Sequence, residues 1–200
     1  MLTTWTYRYF QSVIPPHICQ DIINYGLSNQ IITGSVGEKT AAERPKDELI
    51  NLQKNLRNSN IAWINGEWIY RWIRPHVIKA NEEAGWLYDI NEVENFQFTI
   101  YKENQFYGWH PDYHPRDDAQ NRVRKVSLTV SLSDPKDYEG GELEFIVEDT
   151  PKKRHSLVCK EISPRGSIVV FPSFVIHRVN PVTKGTRYSL VIWHRGPKWK

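Results

Sequence analysis

Hydrophobic and polar positions follow two different periods along this chain, and the change falls near Asn95. In "PPHICQDIINYG" apolar side chains recur at Ile18, Cys19, Ile22 and Ile23, with prolines before them and Gly26 after them, the start and stop signals of a helix. "GEWIYRWIRPHVIKANEEAG" repeats the spacing at Trp68, Ile69, Trp72 and Ile73, and Pro75 within it predicts a kink or a split into two helices. Between these segments "SNQIITGSVGEKTAAERPKDE" is polar and contains glycine, which predicts a long loop or mobile flap; residues 33–48 are a candidate lid or a plain connector.

From Asn95 onward the period is two. "FQFTIY" is followed by "RKVSLTVSLSD", where Val126, Leu128, Val130 and Leu132 alternate with Ser127, Thr129 and Ser131. "GGELEFIVE", "GSIVVFP" and "TRYSLVIWH" follow, each bounded by Gly, Pro or Asp. Short strands at close spacing without intervening helices predict a sandwich or barrel rather than a parallel sheet. The expected fold is mainly β with N-terminal helices: a small antiparallel barrel or jelly roll flanked by α-helices. One domain spans 1–200, with 1–94 mostly helical support and loop and 95–195 the β core.

Composition narrows the class without choosing a function. Two hundred residues suffice for one real core, and 40% hydrophobic with 24% charged residues is an ordinary globular balance. A net charge of +3 makes no strong case for a nucleic-acid partner. Cys19 and Cys159 have no metal spacing and are too few for a disulfide framework, so a reducing compartment is expected. The N-terminus has no signal pattern and no apolar run reaches the roughly 20 residues of a membrane helix. A soluble, cytoplasmic chain without a membrane partner is the expectation.

The candidate chemistry begins in "HPDYH", residues 110–114. His110 and His114 have the spacing of helical zinc ligands, but Pro111 and Pro115 argue against a helix there. His110 and Asp112 are two apart, which on an extended chain puts both on one face. A third ligand must come from elsewhere, and His177 in "FPSFVIHRVNPV" is the best candidate. Two histidines and one carboxylate leave coordination positions open and suit non-haem Fe(II) oxygenases. Arg187 lies ten residues beyond His177, after the turn in "NPVTKG", so the two are expected on neighbouring antiparallel strands. Its planar guanidinium would clamp a carboxylate. The hydroxyl face of Ser127, Thr129 and Ser131 offers room for a small polar molecule.

Three stretches carry a resemblance to a known family: "YKENQFYGWHPD", "LSDPKDYEGGELEF" and "PRGSIVVFPSFVIHRVNPVTKGTRYSLVIW". The sequence resembles the prolyl 4-hydroxylase-like branch of the Fe(II)/2-oxoglutarate dioxygenases, close to the PKHD-type hydroxylases, over about residues 95–195. The resemblance implies a double-stranded β-helix, the jelly-roll form of the barrel. It implies an iron triad of His110, Asp112 and His177, with Arg187 gripping the distal carboxylate of 2-oxoglutarate and Tyr101 bonding the same cosubstrate. Some relatives have a second tyrosine where this sequence has Ser131, so Thr129 or Ser131 would supply that hydroxyl. Fe(II), 2-oxoglutarate and O2 are the implied cofactors, with ascorbate an optional addition. The implied reaction hydroxylates an unactivated C–H bond and releases succinate and CO2. A prolyl residue of a protein or peptide is the first substrate to consider. A small molecule, a nucleic acid, or a non-catalytic binding role are the alternatives. Tyr107, Trp109 and Trp193 are candidate aromatic walls of the substrate pocket. "PKKRH", residues 151–155, is a basic hairpin tip that would favour an acidic peptide or a nucleic-acid backbone if it binds anything.

Overall fold

The computed structural model describes residues 6–34, 56–113, 121–150 and 153–199. In chain order the described residues form β1 (Arg8–Phe10), α1 (Pro16–Leu27), β2 (Ile32–Thr33), β3 (Arg57–Asn58), β4 (Asn60–Ile64) and α2 (Glu67–Glu83). Then come β5 (Glu92–Val93), β6 (Phe96–Tyr101), β7 (Phe106–His110), β8 (Arg122–Ser131), β9 (Tyr138–Gly140), β10 (Leu143–Thr150) and β11 (Lys153–Val158). The last four are β12 (Ile168–Pro172), β13 (His177–Val179), β14 (Val182–Gly185) and β15 (Arg187–Pro197). The larger sheet runs β1-β12-β8-β15-β6-β4-β2, with β5 on the far end of β15; the smaller runs β11-β10-β13-β7-β3. The pairs are antiparallel, as the period-two pattern requires.

Both helices cover the outer face of the larger sheet. Helix α1 buries Cys19, Ile22, Ile23 and Gly26; α2 buries Ile69, Ile73, Val77 and Ala80. They meet Phe96, Phe98, Val126, Leu128, Val130, Leu190 and Ile192 in one core. Each large aliphatic side chain taken from water there contributes about 1.5–3 kcal/mol. Gly26 sits flat on Phe98, where a Cβ would come within 2.4 Å of the ring. Pro75 does not divide α2: it lies on the exposed face, where water can bond the carbonyl that loses its partner.

The first 94 residues are less helical than the sequence predicts. "NIAWI" forms β4 and pairs with β6, burying Ile61, Ala62 and Ile64 while Trp63 stays exposed. β1 likewise extends the sheet beyond β12. Most of the candidate lid lies outside the described residues; Ile32–Thr33 just before it pairs with β4. The beginning of "PKKRH" and His114 also lie outside them. No described helix is long and apolar enough to cross a membrane.

A second core fills the space between the sheets, built from Tyr7, Tyr101, Leu143, Phe145, Val169, Phe171, Val179 and Val182. Tyr101, Val169 and Phe171 alternate with outer-core residues, so the inner face of the larger sheet is set. Its cross-strand rows are Tyr101–Arg187, then Thr99–Ser189–Ser131, then Gln97–Val191–Thr129–Val169, then Trp193–Ser127–Phe171. Ser127, Thr129 and Ser131 are buried against this interior, not exposed to solvent.

Candidate metal centre

His110 ends β7 and His177 begins β13, and the two residues pair across the smaller sheet. Val179 pairs with Tyr107, so three residue steps on β7 oppose two on β13. This bulge gives Tyr107 and His110 the same side, as Val179 and His177 have. Tyr107 consequently stacks on His110, ring centroids 3.5 Å apart and 11° from parallel, and the Arg57 guanidinium carbon lies 4.5 Å from the Tyr107 ring centroid. Asp112 lies just beyond the strand. Its backbone N–H and that of Tyr113 both donate to the Ser173 carbonyl, at 2.9 and 2.8 Å, which fixes the carboxylate against the strand ends.

The three side chains converge. Asp112 Oδ1 is 3.7 Å from His110 Nε2, Asp112 Oδ2 is 3.7 Å from His177 Nε2, and all three ligand atoms lie within 4.8 Å of one another. His110 Nδ1 lies 2.7 Å from the Gly108 carbonyl and His177 Nδ1 lies 3.0 Å from that of Val175. Both contacts require Nδ1–H as donor, so in its neutral form each ring presents Nε2 as the free lone pair to the shared space. Burial, reinforced by neighbouring His177, pushes His110 down to about 3, and it is neutral at physiological pH. Burial pushes the Asp112 carboxyl up, but His177, His110 and Arg124 outweigh it and hold the group below its ordinary range. Trp193 lies near enough to add to that lowering, yet its Nε1 and Asp112 Oδ2 are both buried without a full hydrogen bond. The His110 and His177 Nε2 atoms and one ionised carboxylate with an orphaned oxygen make a donor set for a divalent cation.

Arg187 occupies the inner face of β15 and is 2% exposed. Its Nη1 donates to Ser189 Oγ at 3.3 Å, and the guanidinium carbon is 5.5 Å from the Tyr101 ring centroid. No carboxylate of the described residues forms an ion pair with it. A buried cation without an anion is costly, so the site calls for one from outside. Gly141 makes room: a Cβ there would stand 2.9 Å from Arg187 Cδ, and the residue has φ +67°. Arg187 and His177 are not on neighbouring strands, contrary to expectation. The connection passes through β14, which pairs with β9, and carries the chain from the smaller sheet to the larger. The two residues belong to opposite sheets around the inner core.

The structure brings Tyr101, Thr129 and Ser131 to the same interior as Arg187. Trp193 lies there too, beside Asp112, with the Arg124 guanidinium 3.9 Å over its ring. Trp109 does not join them. The bulge leaves it on the outer face, 4.4 Å from the Arg178 guanidinium, so it cannot wall the pocket. His194 points away from the interior, as alternation predicts, and is buried with Nε2 3.0 Å from the Tyr70 hydroxyl. Gln97, Thr99 and Ser189 also face the interior; Gln97 Nε2 donates to Thr99 Oγ1 at 3.1 Å. Their sequence signal is the polar half of the alternation in "FQFTIY" and "RYSL".

The model of the 2OG-Fe(II) oxygenase superfamily matches residues 96–195, which contain the triad, Arg187 and every row of the inner face. The chain belongs to this superfamily. A PKHD-type hydroxylase of Idiomarina loihiensis is 39% identical over 160 residues, 80% of this chain and 65% of that protein. PKHD-type hydroxylase YbiX of Escherichia coli O157:H7 is 39% identical over 98 residues, 48% of this chain and 40% of that protein. The chain therefore spans about two-fifths to two-thirds of the length of these curated relatives. In fold it is similar to a prolyl-4-hydroxylase of Pseudomonas putida, with TM-score 0.66, 21% identity, and 98% and 96% of the two chains covered. It is also similar to the viral collagen prolyl hydroxylase of Paramecium bursaria Chlorella virus-1, with TM-score 0.65, 20% identity and 96% of each chain covered. These likenesses support the jelly-roll core. Superfamily membership implies Fe(II), 2-oxoglutarate and O2, and the donor set fits: His110, Asp112 and His177 are the residues that could hold iron.

Proposed function

We propose that this chain is an Fe(II)- and 2-oxoglutarate-dependent dioxygenase that hydroxylates an unactivated C–H bond, with a prolyl residue of a protein or peptide as the first substrate to test. The observation that carries the reading is the pairing of a convergent His110–Asp112–His177 set with a buried Arg187 that has no anionic partner among the described residues. When bound, iron and the keto acid supply the oxidation, with succinate and CO2 released. The protein's own residues bind and orient. Arg187 grips the far carboxylate of 2-oxoglutarate, and its rigid fork selects a dicarboxylate over a monocarboxylate. Tyr101, Thr129 and Ser131 supply hydroxyls to the same molecule, joined by Thr99 and Ser189, which share a row with Ser131. Gly108 and Val175 carbonyls hold the two imidazoles in the ligating tautomer. Tyr107 and Trp193, beside His110 and Asp112, form aromatic walls that exclude water from the reacting end.

Support for a prolyl substrate comes from neighbours in fold. One of them is described as a prolyl hydroxylase of Trichoplax adhaerens in complex with a peptide fragment, similar at TM-score 0.65 and 18% identity. The test is succinate release, measured with Fe(II), 2-oxoglutarate and O2 against proline peptides, free amino acids and oligonucleotides. Substrate-dependent succinate with a proline peptide supports the proposal. Turnover only with another class keeps the oxygenase and replaces the substrate. Absence of iron binding would leave a jelly-roll binding module.

A further inference from the structure

The cavity that reaches Arg187 does not include the metal ligands. It measures about 170 Å3, and its lining includes Ser131, Pro135, Glu142, Leu143, Ser163 and Arg187. Its walls pass from exposed residues to buried ones. Pro135, Glu142 and Ser163 are exposed at the rim, whereas Ser131, Leu143 and Arg187 at the bottom are 2% exposed or less. Along β15, Arg187 is six residues from Trp193, the neighbour of Asp112, a span of about 20 Å for an extended strand. The smaller sheet gives the same direction over a shorter span: Leu143 in the cavity wall pairs with Val179, two residues from the Phe145–His177 pair. The cavity thus approaches the guanidinium from the end of the barrel away from the metal ligands.

We infer that this cavity is a rear access route, through which a dicarboxylate reaches and leaves Arg187 without passing the mouth beside His110, Asp112 and His177. The inference rests on the cosubstrate role proposed for Arg187. Three features shape the route. Gly141, at φ +67°, leaves the wall without a side chain where it packs on the Arg187 stem, since a Cβ there would stand 2.9 Å from Arg187 Cδ. The charged guanidinium at the bottom draws an anion inward, because no described carboxylate neutralises it. Glu142 on the rim, its Oε2 3.4 Å from Asn180 Nδ2, opposes a dianion and sets a toll on approach. With such a route the keto acid can be replaced by way of the rear while a large substrate covers the front.

Exchange of 13C-labelled succinate and 2-oxoglutarate with the metal-free chain, read by NMR line broadening, tests the route independently of turnover. Ser163 is exposed and has ordinary helical backbone angles, so Ser163→Phe can narrow the rim without backbone strain. The expected result is a fall of at least tenfold in both association and dissociation rates, with Kd changed less than twofold. Glu142→Gln is expected to raise the association rate two- to fivefold at low salt, an effect that vanishes near 0.5 M salt. Wild-type exchange rates in both variants would overturn the route. The underlying reading fails separately: it is lost if Arg187→Met leaves dicarboxylate affinity unchanged, whereas a strong loss there with unaltered exchange in Ser163→Phe removes the route alone.

Discussion

Replacing Arg187 by methionine separates binding from stability in a way that an ordinary structural arginine would not. Methionine keeps most of the stem volume and removes the charge, so packing against Tyr101 and Gly141 changes little. In the unliganded chain the guanidinium is 2% exposed and donates to the Ser189 hydroxyl, with no ion pair to a described carboxylate. No described carboxylate offsets its desolvation, and the variant is expected to match or exceed the wild type in thermal stability. Binding should move the other way. Loss of a buried charge-assisted pair to the distal carboxylate costs about 3–5 kcal/mol, roughly a hundredfold to several thousandfold in affinity. The assay is paired: thermal unfolding of the metal-free chain, and anaerobic 2-oxoglutarate titration of the Fe(II)-loaded chain by its visible charge-transfer band. Unchanged 2-oxoglutarate affinity together with a lowered unfolding temperature would make Arg187 a structural cation and not a carboxylate clamp.

Gly141→Ala is expected to destabilise the chain by about 1–2 kcal/mol, because a left-handed backbone disfavours a Cβ and that atom would stand 2.9 Å from Arg187 Cδ and Val182 Cγ2; it should also weaken 2-oxoglutarate, and an unchanged unfolding curve would contradict both. His194 supplies a pH dependence: burial lowers it to about 4, whereas the unfolded imidazole takes up its proton near 6.5. The unfolded state therefore binds more protons between these values, so stability is complete above about pH 6.5 and falls towards pH 4, by up to about 1.4 kcal/mol per pH unit. His194→Gln should flatten that part of the stability profile, and parallel profiles for variant and wild type would contradict the assignment. Gly26→Ala should cost about 1–3 kcal/mol by pressing on Phe98 while leaving Fe(II) affinity unaltered, because the contact lies in the helix-side core.

Much of this architecture is legible from residue periodicity, and the failures have physical causes. The alternation from Val126 to Leu132 shows both faces of β8, since aliphatics meet the helices and hydroxyls meet the interior. The same logic puts His194 opposite Arg187. It breaks at Trp109, because the bulge between β7 and β13 reverses the parity of one residue, and no local feature other than Gly108 marks it. It also breaks for the spacing of His177 and Arg187, where ten residues look like a hairpin but carry the chain from one sheet to the other through β14. β4 is not legible in the sequence because five residues with two adjacent buried positions, Ile61 and Ala62, do not display a clear period. Pro75 looked disruptive because sequence alone does not say which face of a helix meets water. Thr99 and Ser189 are hard to place for a similar reason: a lone hydroxyl in an apolar strand gains meaning only when the rows are aligned across β6, β15 and β8.

The central claim is that His110, Asp112 and His177 hold one iron in a form that chelates a keto acid beside Arg187. Anaerobic addition of Fe(II) and 2-oxoglutarate to the wild type and to His177→Ala tests it most directly. The wild type is expected to show a weak visible charge-transfer band that is lost in the variant, with the fold retained by circular dichroism. A band of undiminished strength in His177→Ala would contradict that claim.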